Sequence, residues 1–177
     1  MPGIAVKPTV LAELQRQLNH ELQSAHCYLS LAAWCDLQNL KGFARYFSKQ
    51  AAEERVHAQK FVRHLLDRGI LPVFATIEAP PANFATLLDV AKRAQSMEQA
   101  NTAGVNACYA AAGAEHDYPA QVLLQWFITE QVEEENWADD MVARVQRSNC
   151  AGGFGDLDRH IERYLTEEGI NAAAAVS

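Results

Sequence analysis

The sequence has no surplus of basic residues, no CxxC pair, no apolar run long enough to cross a bilayer and no visible export signal in its opening residues. Fifteen Lys and Arg stand against 22 Asp and Glu, a formal charge of −7. No basic face is available, which argues against a nucleic-acid partner and is compatible with cations as the working ligand. Cys27, Cys35, Cys108 and Cys150 are widely separated, and three of them fall in helical patterns, as free buried thiols of a reducing compartment would. The opening MPGIAVKPTV offers neither a basic stretch followed by an apolar one nor a small-residue cleavage site, so a cytoplasmic location and no membrane partner are expected.

What is present is an ordinary globular composition. Of 177 residues, 49% are apolar and 21% charged, enough for a sizeable core and for one domain over residues 1–177. Four long helical patterns dominate. The first is predicted over about Pro8 to Leu37, with Leu11, Leu14, Leu18, Leu22, Ala25, Leu29 and Ala32 as its apolar positions. A turn at Asn39 leads to the second, about Lys41 to Arg68, striped by Phe43, Phe47, Ala51, Ala58, Phe61 and Leu65 and stopped by Gly69. The stretch from Gly69 to Asn83 holds Pro72, Pro80 and Pro81 without any sustained period. That pattern predicts a connection running the length of the bundle. The third helix starts near Thr86, with Asp89 three residues on, and ends near Gly113. Asp117 and Pro119 then announce the fourth, which carries Leu124, Phe127, Trp137, Met141 and Val145. At ~1.5 Å per residue each spans roughly 40 Å, long enough to pack side by side. Beyond a turn at Gly152, Gly153 and Gly155, the positions Phe154, Leu157, Ile161, Tyr164 and Leu165 predict a short fifth helix. The expected fold is therefore all-α: a four-helix bundle over about 8–149, a long crossover between its second and third helices, a fifth helix over about 156–166 and a tail over 167–177.

Polar residues interrupt the apolar stripes at matching heights. Glu21 and Tyr28 share the seam of Leu14, Leu18, Ala25 and Ala32, and Glu54 and His57 lie between Phe47 and Phe61. On the third helix Glu98 lies between Ala94 and Val105, and on the fourth Gln131 and Glu134 lie between Phe127 and Met141. Glu54 and His57 follow Glu21 by 33 and 36 positions, and Gln131 and Glu134 follow Glu98 by the same 33 and 36. Each half of the chain thus supplies one helix with a single Glu and a neighbour with an i, i+3 pair, the repeat that a dinuclear centre requires. Bare carboxylates in an apolar core would each cost several kcal/mol even after relaxation. No Lys or Arg occupies these stripe positions, although Arg55 and Arg93 are close enough in sequence to be alternative partners. Oxygen ligands with one imidazole suit iron, manganese or zinc, and carboxylates can bridge two ions.

The stretches NHELQSAHCYLSLAAWC, AAEERVHAQKF, SMEQ and LQWFITEQVEEE, in this order and interval, resemble the helix motifs of bacterial non-haem ferritins, and the likeness runs from about Pro8 to Leu165. The resemblance implies a ferritin-like bundle and an iron-storage ferroxidase that oxidises Fe(II) with O2 or H2O2. It also implies a homo-oligomeric cage of 24 subunits holding the ferric mineral. Glu21, Glu54 and His57 would hold one iron and Glu54, Glu98 and Glu134 the other, with Glu54 bridging and Gln131 beside the second. Tyr28 matches the tyrosine that the family places next to the centre, where it hydrogen-bonds a ligand or supplies an electron; packing in the core is its other reading. A third iron position would fall on Glu53, Glu130 and Glu133, with Glu134 shared, while Glu130, Glu133, Glu134 and Glu135 also read as a solvated acidic face.

The chain departs from haem-binding relatives. It has Gln131 and Glu134 where they carry a second Glu-x-x-His, and Arg55 where they offer methionine, so no haem is expected. Glu115 and Asp117, at the turn between the third and fourth helices, are expected at an acidic opening between subunits. Two other functions fit less of the pattern. A di-iron oxidase or oxygenase acting on a separate substrate would need an organic-substrate pocket and usually a second histidine ligand. A non-catalytic cage subunit would not need Glu21, Glu54, His57, Glu98 and Glu134 together.

Overall fold

The computed structural model of the chain describes residues 6–151 and 154–161, for 149–151 the backbone alone. It is helical, with no strand among the described residues. Helix α1 spans Pro8–Leu37, α2 Lys41–Asp67, α3 Leu87–Ala114 and α4 Tyr118–Ala151; a short α5 covers 155–161. Gly152, Gly153, Tyr164, Leu165, the tail and the Cys150 side chain, all given roles above, lie outside the described residues.

Local chemistry sets each boundary. Pro8 opens α1 at a position where a missing N–H costs nothing. Asn39 ends it in the left-handed region, φ 60°, which lets Leu40 N donate back to the Cys35 carbonyl at 2.9 Å. Gly69, φ 73°, does the same for α2, with Ile70 N bonded to the Leu65 carbonyl at 2.9 Å. At the start of α3, Thr86 and Asp89 form a reciprocal capping box. Asp117 caps α4 by accepting from Ala120 N at 3.1 Å.

Helix α1 packs against α2 and α3, and α3 against α4. The crossover lies along α1, whose side chains take up its backbone groups. Asn19 brackets Val73 and Ala75, accepting from Ala75 N at 2.7 Å and donating to the Val73 carbonyl at 2.9 Å. Gln23 brackets Glu78 in the same way. Further on, Ser30 and Trp34 donate to the carbonyls of Pro81 and Phe84. An irregular segment with its polar groups satisfied in this manner can lie flat on a helix over the length of the bundle.

The core is divided in two. One apolar cluster gathers Tyr28, Leu31, Phe43, Phe47, Val90, Met141 and Val145 together with Leu157 and Ile161 of α5. The other gathers Val10, Leu14, Leu18, Phe61, Leu65, Val105, Leu124 and Phe127. Each fully buried Phe or Leu contributes about 1.5–3 kcal/mol. Leu29, read as a stripe residue, is instead 43% exposed, because Tyr28 takes the inward position beside it. Asp117 is buried, with one Arg68 guanidinium nitrogen 2.7 Å from both of its oxygens, so it is occupied inside the fold.

Candidate metal centre

Between the two apolar clusters lies a layer of buried polar side chains. Glu21, Glu54, His57, Glu98 and Gln131 are all at most 5% exposed, and they come from all four long helices. Glu21 on α1 and Glu54 and His57 on α2 bring their ligand atoms within 4.8 Å of one another, the one such group among the described residues. His57 Nδ1 lies 3.6 Å from Glu54 Oε2 and 3.9 Å from Glu21 Oε2. Neither His57 Nδ1 nor Glu54 Oε2 has a hydrogen-bond partner, although both are buried. Buried polar atoms are nearly always paired, and each orphan costs about 1–3 kcal/mol. Two orphans facing a third ligand are what a cation site looks like when described by protein atoms alone.

The second half of the layer is built on α3 and α4. Glu98 accepts a short hydrogen bond from the Tyr28 hydroxyl and a longer one, 3.3 Å, from Gln131 Nε2. Glu134, at the edge of the layer, accepts from Gln50 Nε2 at 2.9 Å. Tyr28 is held by stacking on Phe47 at 5.9 Å.

Electrostatics runs against ionised carboxylates here. Burial first, then the Glu54 charge, pushes Glu21 well above the ordinary carboxylate range. Burial does the same to Glu54 and, less strongly, to Glu98. Glu134 is pushed up to about 8 by burial and by the charges of Glu98 and Glu53. Among the largest influences on these four groups the only favourable charge is His57, acting on Glu21 and Glu98. Arg55 is exposed, and Arg93 acts on His20. Four carboxylates facing a single imidazole either bind protons or bind metal cations.

The residues proposed for a third position stand apart from the layer. Glu133 is exposed, Glu130 is part-buried, and Glu53 pairs with Lys49 at 3.5 Å. Glu130 feels the charges of His57, Glu133 and Glu53, so the three form one acidic face where α4 meets α2. Glu115 accepts from Thr9 Oγ1 at 3.0 Å.

Sequence reading missed two of the three neutral amides behind the layer, Gln17 and Asn101, which join Gln131 there. Gln17 Nε2 donates to Glu21 Oε1 at 2.8 Å and also to Asn101; Asn101 Nδ2 donates to Glu21 Oε2 and to Gln131 Oε1, each at 3.3 Å. These three amides join α1, α3 and α4 and hold Glu21 in place, the supporting role that outer-layer groups take around metal ligands. The available signal was position: Gln17 precedes Glu21 by one helical turn and Asn101 follows Glu98 by nearly one.

The ferritin-like domain profile matches residues 11–148. The chain is 39% identical over 160 residues to a bacterial non-heme ferritin of Staphylococcus aureus, covering 90% of this chain and 93% of that protein. It is 31% identical over 163 residues to a bacterial non-heme ferritin of Escherichia coli, covering 92% and 99%. An open-pore ferritin of the hyperthermophilic archaeon Archaeoglobus fulgidus superposes with a TM-score of 0.82 at 29% identity, over 89% of this chain and 98% of that one.

Proposed function

Because the chain belongs to the ferritin-like domain family and sits among its bacterial non-haem members, we propose that it oxidises ferrous iron at the four-helix carboxylate layer and stores the ferric product inside a hollow assembly of its own copies. Iron is both substrate and cargo in this reading. Two Fe(II) each give up one electron; the pair, with two protons, reduces O2 to H2O2 or H2O2 to two waters. The observation that carries the reading is the pair of orphaned ligand atoms, Glu54 Oε2 and His57 Nδ1, buried opposite Glu21.

The residues divide the task by chemistry. Glu21, Glu54 and His57 hold one iron and Glu54, Glu98 and Glu134 the other, so that Glu54 bridges, with Gln131 beside the second. Tyr28 and Gln131, both hydrogen-bonded to Glu98, orient that carboxylate. Glu53, Glu130 and Glu133, with Glu134, form a third position on the acidic face, through which iron passes to and from the layer. A shell of 24 copies in the cytoplasm is the assembly proposed; no helix among the described residues is long and apolar enough to cross a membrane.

The test adds ferrous iron aerobically, follows ferric absorbance and measures particle size. Replacing Glu54 and His57 together by Ala is expected to slow the initial oxidation by at least about tenfold. An unchanged initial rate would remove the catalytic assignment. A small oligomer under native conditions would remove the storage assignment.

A further inference from the structure

A groove lies between α3 and α4, outside the carboxylate layer. Val105, Ile128 and Val132 give it apolar walls, Thr102 and Asn106 add neutral polar groups, and Glu135 is its one carboxylate. Gln131, only 2% exposed, also lines it. The Gln131 amide faces both ways: Nε2 is 3.3 Å from Thr102 Oγ1 of the groove wall and 3.3 Å from Glu98 Oε2 of the layer. Its Oε1 accepts from Asn101, which also donates to Glu21. A single neutral side chain, held by four bonds of 3.3 Å to Asn101, Glu98 and Thr102, with both the carboxylate and the backbone carbonyl of Glu98 accepting, therefore stands between the groove and the candidate centre.

The chemistry of the walls selects what can use this groove. A divalent cation shedding water against valine and isoleucine meets a large desolvation cost, with little carboxylate to offset it. A small neutral molecule meets no such cost. Cations have a separate approach one face further round α4, where Glu130 and Glu133 meet Glu53. We propose that the α3–α4 groove is the route by which a small neutral oxidant, O2 or H2O2, reaches the iron, with Gln131 as the positioning residue that opens it by turning its amide away from Thr102. The proposal rests on the ferroxidase reading above.

Filling the groove tests it. Val132 is 69% exposed, so Val132→Trp adds a ring to the groove with little disturbance of the core, and Asn106→Trp fills the same space from α3. Each variant and the parent are loaded anaerobically with Fe(II), then mixed with O2 in one arm and H2O2 in the other. Binding of Co(II), read by its visible absorption without oxidation, is measured alongside. The expected result is an oxidation rate lowered about tenfold in both variants, with Co(II) affinity unchanged. A slowing confined to one arm supports the route and identifies the oxidant that takes it. In crystals under xenon pressure, the parent is expected to hold xenon against Val105, Ile128 and Val132, and Val132→Trp is expected to exclude it. Rates within about twofold of the parent in both variants and both arms overturn the proposal. So does a parallel loss of Co(II) binding, since cations would then share the groove. If the parent itself fails to oxidise Fe(II), the ferroxidase reading falls and this route falls with it; if the parent oxidises iron and the filled variants keep pace, only the route falls.

Discussion

Gly42 and Asp158 are so close that a Cβ added to the glycine would stand 2.1 Å from the aspartate's carbonyl oxygen. The same aspartate accepts a hydrogen bond from Phe43 N at 3.0 Å through Oδ1. Helix α2 has no side-chain cap of its own, so α5 supplies the missing acceptor and places a negative charge at the positive end of α2. Gly42→Ala is expected to push α5 away and cost about 1–3 kcal/mol, as overpacking against backbone does. Denaturant unfolding would show the loss, and amide exchange should place it in α5 and the first turn of α2. Unchanged protection in both would contradict this contact.

Gly104 is the corresponding lever on the candidate centre. A Cβ there would lie 2.1 Å from Gln17 Oε1, and Gln17 is the residue that donates to Glu21 at 2.8 Å. The contact is with a side-chain end, so Gln17 can turn away at small cost to the fold, but it then releases Glu21. Gly104→Ala is expected to weaken Co(II) or Zn(II) binding about tenfold with little change in melting temperature. Calorimetric titration beside a thermal melt separates the two effects.

Tyr28→Phe removes the hydroxyl that donates to Glu98. That bond holds the Glu98 pKa down against burial, so its loss raises the pKa further and makes protons better competitors for the site. Metal affinity is expected to fall about tenfold, and by more at pH 6 than at pH 8. A titration at the two pH values checks this; a deficit independent of pH would mean that the hydroxyl acts only through packing.

The buried carboxylates should make the metal-free protein sensitive to alkali. Glu21, Glu54 and Glu98 are all shifted upward, and Glu134 is pushed up to about 8 from an ordinary 4.5. A carboxyl whose folded pKa lies above its unfolded one holds more protons when folded, so its contribution is complete below about 4.5 and is lost as pH rises through about 8. The apparent melting temperature of the metal-free protein is expected to fall between pH 5 and pH 8. Zn(II) should reduce that fall, since a bound cation replaces the missing protons. A melting temperature that rises with pH in the metal-free state would contradict the assignment of these groups as a bare acidic cluster.

The helix limits were legible because they are set by local chemistry. Pro8, Asn39, Gly69, Thr86 with Asp89, and Asp117 each act within a turn of their own position, and each lies within two residues of the helix limit it sets. The layer was legible for a different reason: Glu and His break an apolar stripe visibly, and the interval between the breaks repeats. Gln17 and Asn101 escaped notice because a neutral amide on a helix resembles an ordinary surface residue until its partners from other helices are known. Asp158 escaped because its partner lies 115 residues away, and the pairing of Asp117 with Arg68 escaped because nothing near it in sequence announces it.

The split core has a consequence for the proposed storage function, in which iron would leave as well as enter. Each end of the bundle is secured by its own oily cluster, one around Phe47 and one around Phe61. Emptying the middle strands a few acids next to one another without unfastening the rods that carry them. On the proposed function, loss of metal is then expected to lower stability through the layer alone, with both clusters still packed.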